Sequence, residues 1–436
     1  MKNLYKAVAI IVFIGGLSSC GTQPSLPPTT TTTPSYTPEI LSAQRLPTGT
    51  AAHISGNVSF TATTFSALPS WDKQSFSGSL KAFVQGCERL QAHPAWTEIC
   101  SIAKRTPLYE KYARAFFENN FTPWTIAQNG NLAGKVTGYY EPAINGSLSY
   151  SSAYRFPIYE IPQDFIVVPY TGGAKSGSLK INIIGANKGE VAKNGAYSAN
   201  LADFPVNERT RSLKGRTVGN RFVPYYTRAQ INAGALNNQA KIIAYAADPV
   251  ELFFMHVQGS GRLRLPDGSM LPLAYADKND HPYVSIGRYM ANKGYLPLAQ
   301  ANAEGIKNWL AAHPDKLAEV LGQNPGYVFF KRGESGVSGP TGALGVPLSP
   351  GFSAAVDKHI IELGSPIFVA TTDPRNRRAL NRLMMAHDTG SAIVGAVRVD
   401  VFWGYGDTAG NHAGKMNEVG YLWNLLPNGM TPSYIR

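Results

Sequence analysis

Apolar positions along this chain change period repeatedly, and the changes divide it. Leu80, Phe83, Val84, Cys87 and Leu90 recur at helical spacing, which puts one apolar stripe on a helix. Residues 96–105 predict a second, shorter amphipathic helix. Thr106-Pro107 predicts the opening of a third, with Leu108, Tyr112, Phe116 and Phe117 on its apolar face and an end near Asn119-Asn120, before Pro123. Strand-like segments follow at 134–140, 155–161 and 165–168, separated by Gly, Asn, Ser and Pro. Residues 251–257 read as an apolar strand running into the turn Gly259-Ser260-Gly261. Helices are expected at 227–237, where Thr227 can cap, and at 286–292 and 301–321. Strands return at 328–331, 359–361, 366–371 and 392–402. No internal repeat is present. The pattern predicts a mainly β protein with N-terminal helices and a few inserted ones.

The N-terminus has a separate character. Lys2 and Lys6 precede an apolar run over 7–17 that is short for a membrane span, and Leu17-Ser18-Ser19-Cys20 follows. Small residues before a cysteine at this place resemble the lipobox of bacterial lipoproteins, in which the cysteine is lipidated and becomes the mature N-terminus. Gly21 in place of Asp implies sorting to the outer membrane, facing the periplasm. Residues 21–50 are rich in Pro and Thr and nearly uncharged, a composition expected to stay extended as a tether. The remaining chain, about 390 residues, is enough for two domains.

The formal charge is +12, and removal of Lys2 and Lys6 leaves +10, a balance suited to a polyanionic partner. Nucleic acid is disfavoured, because the chain has neither zinc-finger spacing nor a dense Lys/Arg run; a carboxylate-rich bacterial wall fits better. Cys87 and Cys100 can pair in an oxidising compartment. Cys87 also lies on the apolar stripe, where a buried free thiol is equally at home.

Candidate chemistry concentrates between Asp388 and Gly406. Val397, Val399 and Val401 alternate with Arg398, Asp400 and Phe402, so Asp400 is offered from a strand, beside Trp403 and Tyr405. A carboxyl group in such half-apolar surroundings has its pKa raised and can serve as a general acid. Asp388, followed by Thr389-Gly390, also fits a turn residue that bonds its own backbone. The segment 137–142 brings Thr137, Tyr139 and Tyr140 to a strand end, and Gln258 stands before the Gly-Ser-Gly turn. Aromatic faces such as Trp403 and polar Thr, Gln and Asp groups are what a sugar-binding groove uses. Neighbours in a strand face opposite ways, so one of Tyr139 and Tyr140 is expected in the core. The histidines show no metal-ligand spacing, and Gly259-Ser260-Gly261 fits neither a phosphate loop nor a nucleophile elbow.

Four segments in order, TGYYEP at 137–142, FFMHVQGSGRLRLPDG at 253–268, NPGYVFF at 324–330 and DTGSAIVGAVRVDVFWGYG at 388–406, resemble the membrane-bound lytic murein transglycosylase A family. The last resembles its aspartate-rich 3D domain, here about 366–436. The resemblance implies a double-psi β-barrel from 51–142 and 325–436, a second β-domain inserted at 143–324, and a glycan groove between them. It places the catalytic acid on Asp400, a supporting aspartate on Asp388, and groove positions on Thr137, Tyr139, Tyr140 and Gln258. It also implies cleavage of the β-1,4 bond between N-acetylmuramic acid and N-acetylglucosamine to give 1,6-anhydromuramoyl ends, without metal or organic cofactor. The implied partners are peptidoglycan glycan strands, the outer membrane through Cys20, and cell-wall synthesis or division machinery. A two-carboxylate glycan hydrolase and a non-catalytic wall-binding lipoprotein remain as alternatives.

Overall fold

Six strands close on one another. They are β1 (Ala133–Glu141), β2 (Ser353–Val356), β3 (Pro366–Thr372), β4 (Ala379–Asp388), β5 (Arg398–Tyr405) and β6 (Asn417–Pro427). In the computed structural model they run in the order β1-β6-β3-β4-β2-β5, and β5 pairs back onto β1. The pairs β1–β5 and β2–β4 are parallel and the others antiparallel. The strand Phe121–Gln128 extends the sheet from β6, followed by Val58–Ala62 and Ala51–His53. The described residues are 36–53, 57–91, 94–207, 210–334 and 339–433, so Cys20 and the signal segment lie outside them. Among the described residues no helix is long and apolar enough to cross a membrane.

Three helices cover this barrel: α1 (Phe76–Leu90), α2 (Pro94–Arg105) and α3 (Glu110–Asn120). Their apolar stripes meet Val136, Val399 and Val401 in one core, in which Phe83, Trp96, Phe116, Phe117 and Phe121 pack ring against ring. Cys87 and Cys100 form a disulfide between α1 and α2, with Cα atoms 5.4 Å apart. The third helix does not open at Thr106-Pro107. Thr106 closes α2 instead, its N–H and hydroxyl both donating to the Ile102 carbonyl.

The end of the expected tether is already part of this body. Leu41 and Leu46 pack on the core, the Leu41 N–H donates to Asn120 Oδ1 (2.7 Å), and Asn120 Nδ2 donates to the Glu39 carbonyl (3.1 Å). Arg105 also pairs with Glu39, and Arg45 donates to the Glu118 carbonyl, so the segment is held despite its composition.

The inserted region contains a small closed barrel of six short strands between Ile166–Pro169 and Arg221–Pro224, and a separate six-stranded sheet. That sheet includes Val328–Arg332, which pairs with Met270–Lys278. The insert therefore runs past the expected boundary at 324, because its last strand finds its partner there.

Four sequence-based elements change. Residues 249–258 form a helix, α4 (Pro249–Gln258), and not a strand. Asp248 accepts the N–H groups of Val250 and Glu251, Pro249 occupies the first turn, and Gly259 ends the helix in the left-handed region at φ 83°. Leu252 and Met255 face the sheet while Val250 and Phe253 face a helical cluster. A helix buried on two sides shows no clean 3.6 period. The 359–361 segment is a turn, with Ile360 and Ile361 donating to the Asp357 carbonyl. The strand expected from 392 starts only at Arg398, and Pro314 breaks 301–321 into Ala303–Ala312 and shorter turns.

Candidate active site

Strand register brings the two aspartates into one row. Asp388 on β4 stands opposite Ala355 on β2, Ala355 opposite Asp400 on β5, and Asp400 opposite Thr137 on β1. Thr137 Oγ1 donates to Asp400 Oδ1 at 2.6 Å. Two positions on, Tyr139 faces the same side, and its hydroxyl donates to Asp388 Oδ2 at 2.9 Å. Asp388 Oδ1 accepts from the Ala343 and Thr389 N–H groups, both at 2.9 Å. The Tyr139 and Phe402 rings pack with centroids 5.3 Å apart.

The two carboxyls differ in how they are held. Burial pushes Asp400 up to about 6; the Asp388 charge adds to this, while the Thr137 hydroxyl, Arg398 and Lys135 work against it. Arg398 spends its Nη1 on the Val399 carbonyl at 2.6 Å. Burial raises Asp388 as well, opposed by its three hydrogen-bond donors. Tyr139 is raised well above its ordinary value, by burial first and then by Asp388, so it stays a neutral donor. Of the two carboxyls, Asp400 is the one held by a single hydroxyl and pushed up to about 6.

A cleft of about 1400 Å³ opens between the barrel and the insert. Tyr139, Asp388 and Arg89 belong to its barrel wall; Lys214, Gln258 and Lys331 belong to its insert wall. Asp400 and Thr137, half-buried, follow Asp388 and Ala355 along the row, beyond this wall. Among the described residues, no three His, Cys, Asp or Glu side chains converge to hold a metal ion.

Residues 135–331 match the MltA specific insert domain and residues 352–426 match the 3D domain. Over 305 residues the chain is 33% identical to membrane-bound lytic murein transglycosylase A of Vibrio cholerae, covering 67% of this chain and 81% of that protein. The chain belongs to the membrane-bound lytic murein transglycosylase A family. A crystal structure of MltA from Neisseria gonorrhoeae is 50% identical, with a TM-score of 0.81 over 92% of this chain and 99% of that one. Escherichia coli MltA with bound chitohexaose is 26% identical, with a TM-score of 0.58 over 84% and 94%.

Within this MltA-type fold, Tyr140 and Trp403 lie on the opposite sides of their strands from Tyr139 and Asp400. Tyr140 faces away from Tyr139, as alternation requires, and sits against Gly410 of α5 (Gly406–Lys415), outside the cleft wall. Trp403 is on the opposite side of β5 from Asp400 and Phe402. It lies over Gly138, where an added Cβ would come within 2.6 Å of its Nε1, and Arg375 covers its ring. Trp403 Nε1 donates to Met416 Sδ at 3.3 Å, and its ring meets His412 of α5 edge-on with centroids 5.4 Å apart. Gln258 is in the cleft wall, but its Oε1 accepts the Tyr140 N–H at 3.2 Å and ties the end of α4 to β1.

Sequence reasoning missed Ala343, Lys214 and Lys331. Ala343 contributes only its backbone N–H, which leaves no signal in residue type. Lys331 is an exposed strand position, and Lys214 pairs with Asp277 and Asp280 of the insert, so neither residue type marks the cleft in the sequence.

Proposed function

We propose that this protein is a lytic transglycosylase that cleaves the β-1,4 bond between N-acetylmuramic acid and N-acetylglucosamine in peptidoglycan, with Asp400 as acid and then base. The observation that carries this reading is Asp400 itself, a carboxyl raised to about 6 and bonded to one hydroxyl. Protonated Asp400 gives its proton to the glycosidic oxygen as the C1–O bond breaks and an oxocarbenium-like state develops. The resulting carboxylate takes the proton of the muramoyl C6 hydroxyl, and O6 closes onto C1. The product is a 1,6-anhydro ring, no water is consumed, and Asp400 ends protonated as it began. A second catalytic carboxylate is unnecessary because the nucleophile belongs to the substrate. Asp388, with three donors, orients Tyr139 and maintains negative potential beside Asp400. General acid catalysis contributes on the order of 10²–10⁴-fold; binding and distortion of the sugar supply the rest.

The relatives' names and the chitohexaose bound to E. coli MltA support the substrate class. We also propose lipidation at Cys20 and an outer-membrane position. Mass spectrometry of sacculi digested with protein lacking residues 1–20 tests the reaction. Products with 1,6-anhydromuramic acid are expected; reducing muramic ends instead would make the enzyme a hydrolase. Asp400→Asn should bind sacculi and release nothing.

A further inference from the structure

β4 carries one residue more than β2 can pair. Ala354 stands opposite Ala386, yet Ala355 stands opposite Asp388, so His387 is an inserted bulge. In an unbroken ladder residue 387 would oppose Ala355, and Asp388 would share the buried side of Ala386. The bulge shifts the alternation by one residue, and Asp388 emerges into the row of Asp400.

The bulge is fixed on its inner side by a side-chain contact. His387 Nδ1 lies 2.9 Å from Oγ of Ser353 on β2, and Ser353 Oγ accepts the Ser349 N–H at 2.9 Å. Outside, the Leu344 N–H donates to the His387 carbonyl (3.0 Å) and the Ala343 N–H to Asp388 (2.9 Å). His387 Nε2 is buried with no hydrogen-bond partner among the described residues. An apolar residue here would remove that unsatisfied nitrogen, but with it the contact to Ser353. Burial lowers the His387 pKa to about 4, so the ring is neutral over the working range and its part is geometric.

We infer that His387, locked by Ser353, is a positioning residue that holds the bulge in β4 and so turns Asp388 toward Asp400. The inference rests on the reading of Asp400 as the acid; His387 touches no reacting atom.

Three variants test it: Ser353→Ala, His387→Leu and His387→Asn, the last keeping a polar group able to reach Ser353. The charged and titratable groups around Asp400 are Arg398 on its own strand, Lys135 and Tyr139 on β1, and Asp388 on β4; none is replaced. Because the Asp388 charge raises Asp400, a displaced Asp388 lets Asp400 ionise at lower pH. Ser353→Ala and His387→Leu should lower kcat about 10- to 100-fold at nearly constant KM, and move the fall of kcat/KM to lower pH. His387→Asn should recover part of both effects. Ser353→Ala removes a single oxygen and serves if His387→Leu does not fold. A carboxyl NMR titration of Asp400 in Ser353→Ala gives the same comparison without turnover, and remains decisive if Asp400→Asn keeps its activity. An unmoved Asp400 titration, with Asn no better than Leu, would overturn the inference.

Discussion

Thr137 donates its hydroxyl to Asp400 at 2.6 Å from the position directly opposite on the neighbouring parallel strand. That hydrogen bond favours the ionised carboxylate, and so works against the burial that keeps Asp400 protonated. Thr137→Val should therefore move the upper limb of the activity–pH profile to higher pH and weaken Asp400 as a proton donor. Rates measured from pH 4 to 9 on sacculi check this; a limb displaced to lower pH would contradict the role given to the hydroxyl.

Asp400 also leaves a mark on stability. Its folded pKa lies above its ordinary value, so the folded state binds its proton more tightly than the unfolded chain does. The favourable contribution is complete below about pH 4 and is lost as pH rises through about 6. Asp400→Asn removes the ionisation and should stabilise the protein on the order of 1–3 kcal/mol at pH 8 relative to its effect at pH 4. Denaturant unfolding at the two pH values measures the difference.

The disulfide between Cys87 and Cys100 closes a short loop across α1 and α2, over a core shared with the barrel. Replacing both cysteines by alanine should cost about 2–4 kcal/mol. The helices pack on the strands that carry the site, so the variant should lose thermal stability with kcat nearly unchanged at 25 °C. A large fall in kcat at that temperature would show that the helices also set site geometry.

Cys20 is expected to carry the membrane anchor. Cys20→Ala should leave the protein in the aqueous phase of a detergent partition, while the unmodified sequence enters the detergent phase in cells that process lipoproteins. Partition of both forms into water would remove the anchor proposal.

The amino-acid pattern determined a good part of this protein. Period-3.6 stripes marked α1 and α2, because each helix buries a single face against the barrel. Alternating valines around Asp400 marked β5, because one face meets the core and the other does not. The motifs carried the family, and alternation put Tyr139 and Tyr140 on opposite sides of β1, although neither enters the core, where one was expected. Only the tertiary structure decided the rest. α4 hid in an apolar run because it is buried on two sides, leaving no polar face to reveal its period. Trp403 looked like a stacking surface, yet Gly138 makes room for it under α5. The row Asp388–Ala355–Asp400–Thr137 joins three strands of the C-terminal part to one more than 200 residues earlier. It depends on register and on one extra residue in β4, and register is fixed by pairing between strands, not by any strand's own sequence.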